Sequence, residues 1–254
     1  MSESLETIGL AAVDRFIETW NSRDPEAWAG SLNFPHARPG PFGPLLLAKN
    51  AEEYISRVDF NRVIETGWDR SEWDYKHVVQ LSPNKIHVVG QWHRENKAGE
   101  TILTNPVTYI VTLVDGNWGV QSRFSADYAG EEDTSSMEKR GFNLVESFFK
   151  QFNAGSAAAC AEMLNYPHFS VGVGSIGLSE TAADYRLPEA SLTIESMMAL
   201  QTGKRSINIG MDFVLSEAGR SRAMQAVLNI TERDDHLGIQ AWSLLNPNPV
   251  EDQS

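Results

Sequence analysis

Residues 16–36 read FIETWNSRDPEAWAGSLNFPH, and residues 148–168 read FFKQFNAGSAAACAEMLNYPH. The two stretches align without a gap, and both end in the frame L-N-aromatic-P-H. The positions that recur are Phe16, Asn21, Ala27, Ala29, Leu32, Asn33, Pro35 and His36. A repeat on this scale indicates two copies of one domain in the chain.

A second pair of matching stretches lies near the end of each half. WGVQS at 118–122 matches LGIQA at 237–241, so the second half is shorter by about 13 residues. One strand, or one arm of a hairpin, is a natural unit for such a loss. The repeat predicts domains at 1–130 and 138–254, joined through the acidic stretch AGEEDTSSMEKR at 129–140.

Composition restricts the class of protein. The chain has 254 residues, 41% of them hydrophobic and 22% charged, and a net charge of -13. An acidic surface repels phosphate backbones and anionic lipid, so we expect neither nucleic-acid binding nor membrane docking. Cys160 is the single cysteine, so no internal disulfide forms. No secretory signal or bilayer-spanning apolar stretch is evident, and we expect a cytoplasmic protein.

Each half places helices before strands. In the first half an apolar stripe at helical spacing runs from Ile8 to Trp20, and Asp24-Pro25 starts a second helix. After Gly67 the pattern changes to strands, namely WDYKHVVQL, KIHVVGQWHRE, VTYIVTLV and WGVQSRFS, separated by turn residues. Helices followed by a meander of long antiparallel strands predict an α+β fold.

About 120 residues in this order resemble the NTF2-like cone fold, the group of ketosteroid isomerase and SnoaL-type polyketide cyclases. LNFPH, GWDRSEW, KIHVV and YIVTLVDGNWGVQSRFS are most similar to uncharacterised members of that group. The resemblance implies two tandem cone domains, each with a curved sheet around its helices and a pocket inside. It also implies a catalytic acid or base on the strand after the second helix.

LNFPH ends at that strand, which makes His36 the first catalytic candidate. Imidazole titrates near neutral pH, and Arg38 shares its face of an extended segment, where a cation stabilises an enolate or a carboxylate. The alternative is structural: Asn33 and His36 tie down a corner of the fold by hydrogen bonds. Repetition at His168 favours the structural alternative, because a fold needs its corners twice and rarely needs a catalyst twice.

GWDRSEWDYKH at 67–77 is the second constellation. Trp68, Trp73 and His77 are candidates for substrate binding, and Asp74 is a catalytic candidate. Strand alternation places Trp73 and His77 on one face and Asp74 on the other, unless a bulge intervenes. The alternative is a packed aromatic edge with solvated charges.

Three further positions complete the candidate set. Asn33 and Tyr109 are assigned to substrate binding, and Arg123 on the last strand is assigned to catalysis. An arginine that points into the cone binds an acid group bidentately, whereas one that points outward is solvated. No close histidine or cysteine cluster predicts a metal site, and no glycine-rich phosphate loop predicts a nucleotide cofactor. We therefore expect no metal and no cofactor.

The leading functional hypothesis is a cofactor-independent enzyme that moves a proton at carbon, as an isomerase, dehydratase or cyclase, in the first cone. One alternative is a protein that binds a small molecule in the same pocket without catalysis. Another is an interaction module that uses the outer sheet. The small-molecule hypotheses need a pocket with convergent polar groups, and the last needs a filled pocket.

Two further expectations concern the second half. Two fused copies can pair through their outer sheet faces, which predicts an intramolecular pseudo-dimer and permits a monomeric chain. Trp242 replaces Arg123 in the second half. A large indole at that place predicts a smaller and more apolar pocket in the second domain, which then supports the first.

Overall fold

The computed structural model describes residues 3–39 and 45–248. The chain divides into two compact units. One contains Met1–Tyr128 with Val173–Ile176, and the other contains Ala129–Gly172 with Gly177–Ser254. The expected sheet-to-sheet pairing of the two units stays a prediction.

The first domain begins with two helices and continues into a long meander. Its helices are α1 Leu5–Asn21, α2 Pro25–Gly30, α3 Ala51–Ile55 and α4 Phe60–Ile64. Its strands are β1 Leu32–Arg38, β2 Leu46–Ala48, β3 Arg70–Ser82, β4 Lys85–Glu95, β5 Thr101–Val114 and β6 Asn117–Ser125. The strand order is β2-β1-β6-β5-β4-β3, with β1 parallel to β6 and the other pairs antiparallel.

The second domain repeats this architecture. Its helices are α5 Ser135–Asn153 and α6 Ala157–Ala161, with a 3₁₀ turn at Ala182–Asp184. Its strands are β7 Leu164–Val171, β8 Ile176–Ser179, β9 Ser191–Thr202, β10 Ser206–Glu217, β11 Arg220–Arg233 and β12 His236–Leu245. The strand order is β8-β7-β12-β11-β10-β9. Both domains are therefore α+β, as predicted.

The shortening of the second half was wrongly assigned to a strand. Both sheets contain six strands. Most of the loss instead falls between the second and third strands, where α3 and α4 of the first domain are matched by the single 3₁₀ turn. Short helices at a domain edge are removed more easily than a strand, because a sheet needs every strand to satisfy its neighbour's backbone hydrogen bonds.

The second helix starts where the sequence predicts. Asp24 caps α2 through its carboxylate, which accepts from the backbone N–H groups of Glu26 and Ala27. Asn50 caps α3 in the same way. The predicted linker at 129–140 is only partly a linker, because α5 already begins at Ser135. Hydrophobic Met137, which is buried, belongs to that helix.

The longest helix of each domain packs against one face of its own sheet, which we call the inner face. The stripe on α1 buries Val13, Phe16 and Ile17 against residues of β4, β5 and β6. The matching helix α5 buries Val145 and Phe148 against β10, β11 and β12. Among the described residues, no helix has the length and apolar character needed to cross a membrane.

Candidate functional site

Two adjoining cavities open in the first domain, between the helices and the inner face of the sheet. Their volumes are about 190 Å³ and about 270 Å³. Four side chains line both cavities, namely Trp20, Trp28, Arg38 and Arg94. These shared walls make the two cavities neighbouring parts of one cleft, which we call the arginine cleft.

Arginines dominate the polar lining of this cleft. Arg123 lines the smaller cavity, Arg57 and Arg62 line the larger one, and Arg38 and Arg94 line both. Asp59 is the only carboxylate among the described lining residues, and its carboxylate caps α4. The cleft is thus cationic in a chain whose net charge is -13.

Three of these arginines, Arg38, Arg94 and Arg123, form no ion pair with a carboxylate within the described part of the chain. Burial, together with the positive charges of Arg123 and Arg94, lowers the pKa of Arg38 to about 10, against the opposing effect of Tyr54. Burial and Arg123 likewise lower the pKa of Arg94. Such shifts mean that burial and the neighbouring positive charges disfavour the charged form of these arginines, and a nearby anion would favour it.

Aromatic rings hold these arginines in place. The guanidinium carbon of Arg123 lies 4.8 Å from the centroid of the Phe16 ring, and its Nη2 donates to the Tyr54 hydroxyl over 3.3 Å. The guanidinium carbon of Arg94 lies 5.3 Å from the Trp20 ring. Cation–π contacts fix each plane but leave its N–H edge available for a ligand.

Several buried donors of the cleft have no hydrogen-bond partner. They are the Nε atoms of Arg94 and Arg123 and the indole Nε1 atoms of Trp20 and Trp28. Buried N–H groups are rarely left unpaired in folded proteins, and an unexplained set of them marks a place for water, an ion or a ligand. Because every one of these atoms is a donor, the surroundings of the cleft are short of hydrogen-bond acceptors.

His36 is not among the residues that line the cleft. It is fully buried, and its Nδ1 donates to the backbone carbonyl of Val120 over 3.1 Å. Burial, together with the positive charge of Arg123, keeps its pKa well below the usual range. His168 makes the same contact, since its Nδ1 donates to the carbonyl of Ile239 over 3.0 Å. The geometry of both histidines fits the structural interpretation of the repeated frame.

Asn33 ties three strands together. Its Nδ2 donates to the carbonyl of Thr112 over 2.6 Å and to that of Asn117 over 3.2 Å. Asn165 repeats the arrangement, with its Nδ2 bonded to the carbonyl of Thr231 over 2.6 Å. In both frames the peptide bond between the aromatic residue and the proline is cis, namely Phe34–Pro35 and Tyr166–Pro167. Asn33 is thus placed as an architectural residue rather than in the cleft.

The other aromatic candidates are also placed in the core. Trp68 is buried, donates to Ser71 Oγ over 3.1 Å and stacks on Phe60. Tyr109 is fully buried, 5.4 Å from the Phe16 ring. Neither is among the residues that line the cleft.

A bulge separates Trp73 from His77, which alternation had placed on one face. The register between β3 and β4 shifts between Trp73 and Tyr75. Trp73 therefore packs inward, with its ring 5.7 Å from that of Tyr109, whereas Tyr75 and His77 are exposed and stack on each other. The regular alternation expected for this stretch was wrong, because the extra residue of a bulge reverses the faces that follow it.

Asp74 lies at the bulge and joins a surface network. Its carboxylate accepts from His93 Nδ1 over 2.6 Å and from Gln91 Nε2 over 2.9 Å. His93 also groups with Glu72 and Glu95 in an arrangement whose ligand atoms are close enough to hold a metal ion. Arg70 pairs with both glutamates, at 3.0 Å and 2.9 Å, and so already offsets part of the negative charge of this group.

Sequence reasoning found Arg38 and Arg123 but missed Arg94 and the indoles of Trp20 and Trp28. A signal for Arg94 was present in the sequence. Ile86, Val88 and Trp92 alternate along β4 and are buried in the core, so Arg94 continues the inward face. Trp28 lies on the short helix α2, where six residues are too few for a periodic pattern.

The second domain provides an internal comparison. The equivalent positions of Arg38, Arg94 and Arg123 are occupied by Ser170, Leu215 and Trp242, as judged from the matching strand registers. Its apolar cavity has a volume of about 270 Å³ and an almost entirely apolar lining, and a neighbouring pocket of about 560 Å³ has a mixed polar and apolar lining. The apolar cavity confirms the expectation of a more apolar lining, but the expectation of a smaller pocket was wrong, because the neighbouring pocket is larger than either part of the arginine cleft.

Trp242 does not fill the second cavity because its indole packs to one side. Its ring lies 4.6 Å from that of His168 and 5.7 Å from that of Phe148. Trp242 therefore forms one wall of the cavity and leaves the space beside it open.

The buried histidines predict loss of stability in mild acid. Burial lowers the pKa of His168 to about 4, from about 6.5 in an unfolded chain. As the pH falls below about 6.5 the unfolded chain binds a proton that the folded chain does not, so unfolding becomes easier. Between pH 7 and pH 5 we expect His168 to reduce the free energy of unfolding by about 2 kcal/mol. Urea unfolding at both pH values measures this.

The matched variant for that measurement is His168→Asn, which retains a donor near the position of Nδ1 but does not titrate. Between pH 7 and pH 5, its free energy of unfolding should fall by about 2 kcal/mol less than that of the wild type. Equal pH dependence in the two proteins would mean that His168 binds its proton as readily in the folded chain as in the unfolded chain.

The twin histidines should also respond alike to truncation. His36→Ala and His168→Ala each leave a buried carbonyl unpaired and a small cavity, so each should lose about 2–3 kcal/mol of unfolding free energy. Chemical denaturation measures both. A fully stable His36→Ala protein beside a destabilised His168→Ala protein would show that the two frames differ in role.

Comparisons with known proteins agree with the architecture. Residues 10–127 match the family model described as "NTF2-like protein (DUF6841)". A domain of unknown function with a cystatin-like fold from Nostoc punctiforme is 17% identical, with a TM-score of 0.42, and the match covers 59% of this chain and 99% of that one. No curated protein matches the sequence significantly.

Two more solved structures align with about half of the chain. An NTF2-like protein of unknown function from Shewanella oneidensis is 19% identical, with a TM-score of 0.38 and coverage of 47% of this chain and 97% of its own. A ketosteroid isomerase-like protein from Erwinia carotovora is 20% identical, with a TM-score of 0.39 and coverage of 51% and 100%.

Proposed function

We propose that this chain, a tandem protein of NTF2-like fold, binds a small aromatic acid in the arginine cleft of its first domain. The observation that carries the proposal is the set of three arginines, Arg38, Arg94 and Arg123, that converge on an aromatic cleft without a carboxylate partner among the described residues. The ligand's acid group is a carboxylate, phosphate or sulfate.

Electrostatics favours an anion at this place. Arg123 depresses the pKa of both Arg38 and Arg94, so the three guanidinium groups repel one another. An anion between them replaces that repulsion by attraction, and planar guanidinium groups hold oxyanions through paired N–H donors. Arg38, Arg94 and Arg123 all carry such donors at the lining of the smaller cavity.

The cleft also selects for a flat apolar body. Trp20, Trp28, Trp92 and Phe16 form walls beside the arginines. Aromatic walls bury large apolar area and stack on planar rings. Cavities of about 190 Å³ and 270 Å³ suit a molecule of one or two rings.

The repeated domain supports the assignment to the first half. The second domain conserves the fold, the buried histidine and the strand-tying asparagine, yet it has none of the three arginines. Residues that occur in both domains are those expected to build the shared fold. The arginines occur once, which is the pattern expected of residues that serve a ligand.

Binding is better supported than proton transfer. The described lining residues offer arginines, Tyr54 and Asp59 as titratable groups. His36 is sealed by its bond to Val120, and Asp74 is held by His93 outside the cleft. The Tyr54 hydroxyl, bonded to Arg123, is the group that favours a second candidate function as an enzyme, because a phenol beside a cation can donate a proton.

Thermal unfolding with matched ligands tests the proposal. We expect 2-naphthoate and 2-naphthyl phosphate to raise the melting temperature at low salt, because they bind only the folded chain. Neutral 2-naphthamide should have little effect, and 0.5 M NaCl should weaken stabilisation by the acids. Equal shifts with acid and amide, or none with either, would refute an anion-binding cleft.

A further inference from the structure

The cavity of the second domain has a chemistry opposite to that of the arginine cleft. It lies between α5 and the inner face of β10, β11 and β12. Its walls include Phe149, Phe152, Met211, Phe213, Leu228 and Trp242. The volume of about 270 Å³ equals that of the larger cavity in the first domain.

The charged groups at this cavity neutralise each other. Arg222 and Glu217 are the charged residues of the described lining, and they form an ion pair of 3.1 Å. Both side chains are about half exposed, at 52% and 50%, which places the pair at the solvent side. Among the described residues, the cavity therefore offers a ligand no unpaired charge.

The substitutions relative to the first domain all act in the same direction. Leu215 stands where the first domain has Arg94, and Trp242 stands where it has Arg123; both line the cavity. These changes remove charge without closing the space. If the second domain only supported its neighbour, larger side chains that filled this cavity would stabilise it, since protein interiors are closely packed. The open cavity therefore argues for a role in binding.

We infer that the second domain is a separate binding site for an uncharged, apolar small molecule. Apolar walls around an open cavity expose hydrophobic surface to water, and an apolar ligand removes that surface from water. A charged ligand is disfavoured because it loses hydration without gaining a partner. The two sites share no lining residue, so this inference stands or falls independently of the acid-binding proposal.

Methionine methyl groups locate such a ligand. The full chain, labelled with methyl-¹³C methionine, is titrated with the neutral fluorophore N-phenyl-1-naphthylamine. The Met211 methyl signal, assigned through Met211→Leu, should shift saturably because Met211 lines the cavity. The Met198 signal should not shift, because Met198 is 59% exposed and is not a lining residue.

A charge placed in the cavity should abolish this binding. Leu215→Arg introduces a cation where the wall is apolar, so the affinity measured by fluorescence should fall at least about 10-fold, which corresponds to about 1.4 kcal/mol. Met198→Arg adds the same charge on the outer surface and should leave affinity unchanged. Leu244→Trp, which fills the cavity with apolar volume, gives the same test if Leu215→Arg does not fold.

Three outcomes overturn the inference. One is the absence of saturable binding up to the solubility of the fluorophore. Another is saturable binding that leaves the Met211 signal in place, which locates the ligand elsewhere. The third is unchanged affinity in folded Leu215→Arg or Leu244→Trp protein.

Discussion

Arg123→Leu should lower the affinity for 2-naphthoate about 100-fold. Arg123 is the cation that perturbs both other arginines of the cleft, and its own Nε has no partner. Its removal deletes a charge-assisted bond to the acid group, and losses of about 2–3 kcal/mol are usual for such a truncation. Titration calorimetry at low salt measures the affinity.

The same substitution should not reduce stability. Arg123 lies among like charges and aromatic rings, so a leucine there relieves repulsion while it retains apolar contact with Phe16. The matched control is Arg220→Leu, an exposed arginine of the second domain, which should change neither property. An Arg123→Leu protein that binds the acid normally would exclude the cleft as the anion site.

Asn33→Leu should cost about 3 kcal/mol or more of unfolding free energy. Leucine has the same branching and the same number of side-chain heavy atoms but donates no hydrogen bond, so the buried carbonyls of Thr112 and Asn117 lose a partner. Asn165→Leu should have a similar effect, because Asn165 bonds Thr231 in the same manner. Chemical denaturation followed by circular dichroism measures both variants.

Asn143→Leu, on the exposed side of α5, is the control and should change stability by less than about 0.5 kcal/mol. The architectural account of the frame is contradicted if Asn33→Leu is as stable as this control. It is also contradicted if Asn33→Leu keeps its stability and loses affinity for the acid, because that is the behaviour of a ligand-binding residue.

The repeat and the hydrophobic periods predict most of the architecture. The α1 stripe, the cap at Asp24, and the four long strands of the first domain all depend on local patterns, which the structure confirms. Features set by tertiary context were not predictable in this way. The bulge between Trp73 and Tyr75 is one such feature, because no local residue pattern marks it. It places the side chains of Trp73 and His77 on opposite faces of β3.

The candidate site was harder to predict than the fold. Arg38 and Arg123 emerged because a cation near a predicted pocket has an evident use, and the structure places both at the cleft. His36 emerged because histidine is a common acid or base, but the sequence does not show whether its ring reaches a cavity or a backbone carbonyl. Only the packed structure places it against Val120 and groups Arg94 with the other two arginines.

The crystal structure of the full chain in complex with 2-naphthoate tests the central claim most directly. We predict that the carboxylate oxygens lie within about 3.2 Å of guanidinium nitrogens of Arg123 and of Arg38 or Arg94, with the rings against Trp20 and Trp28. A carboxylate directed to solvent, a ligand bound outside the arginine cleft, or an empty cleft at saturating ligand would contradict the account.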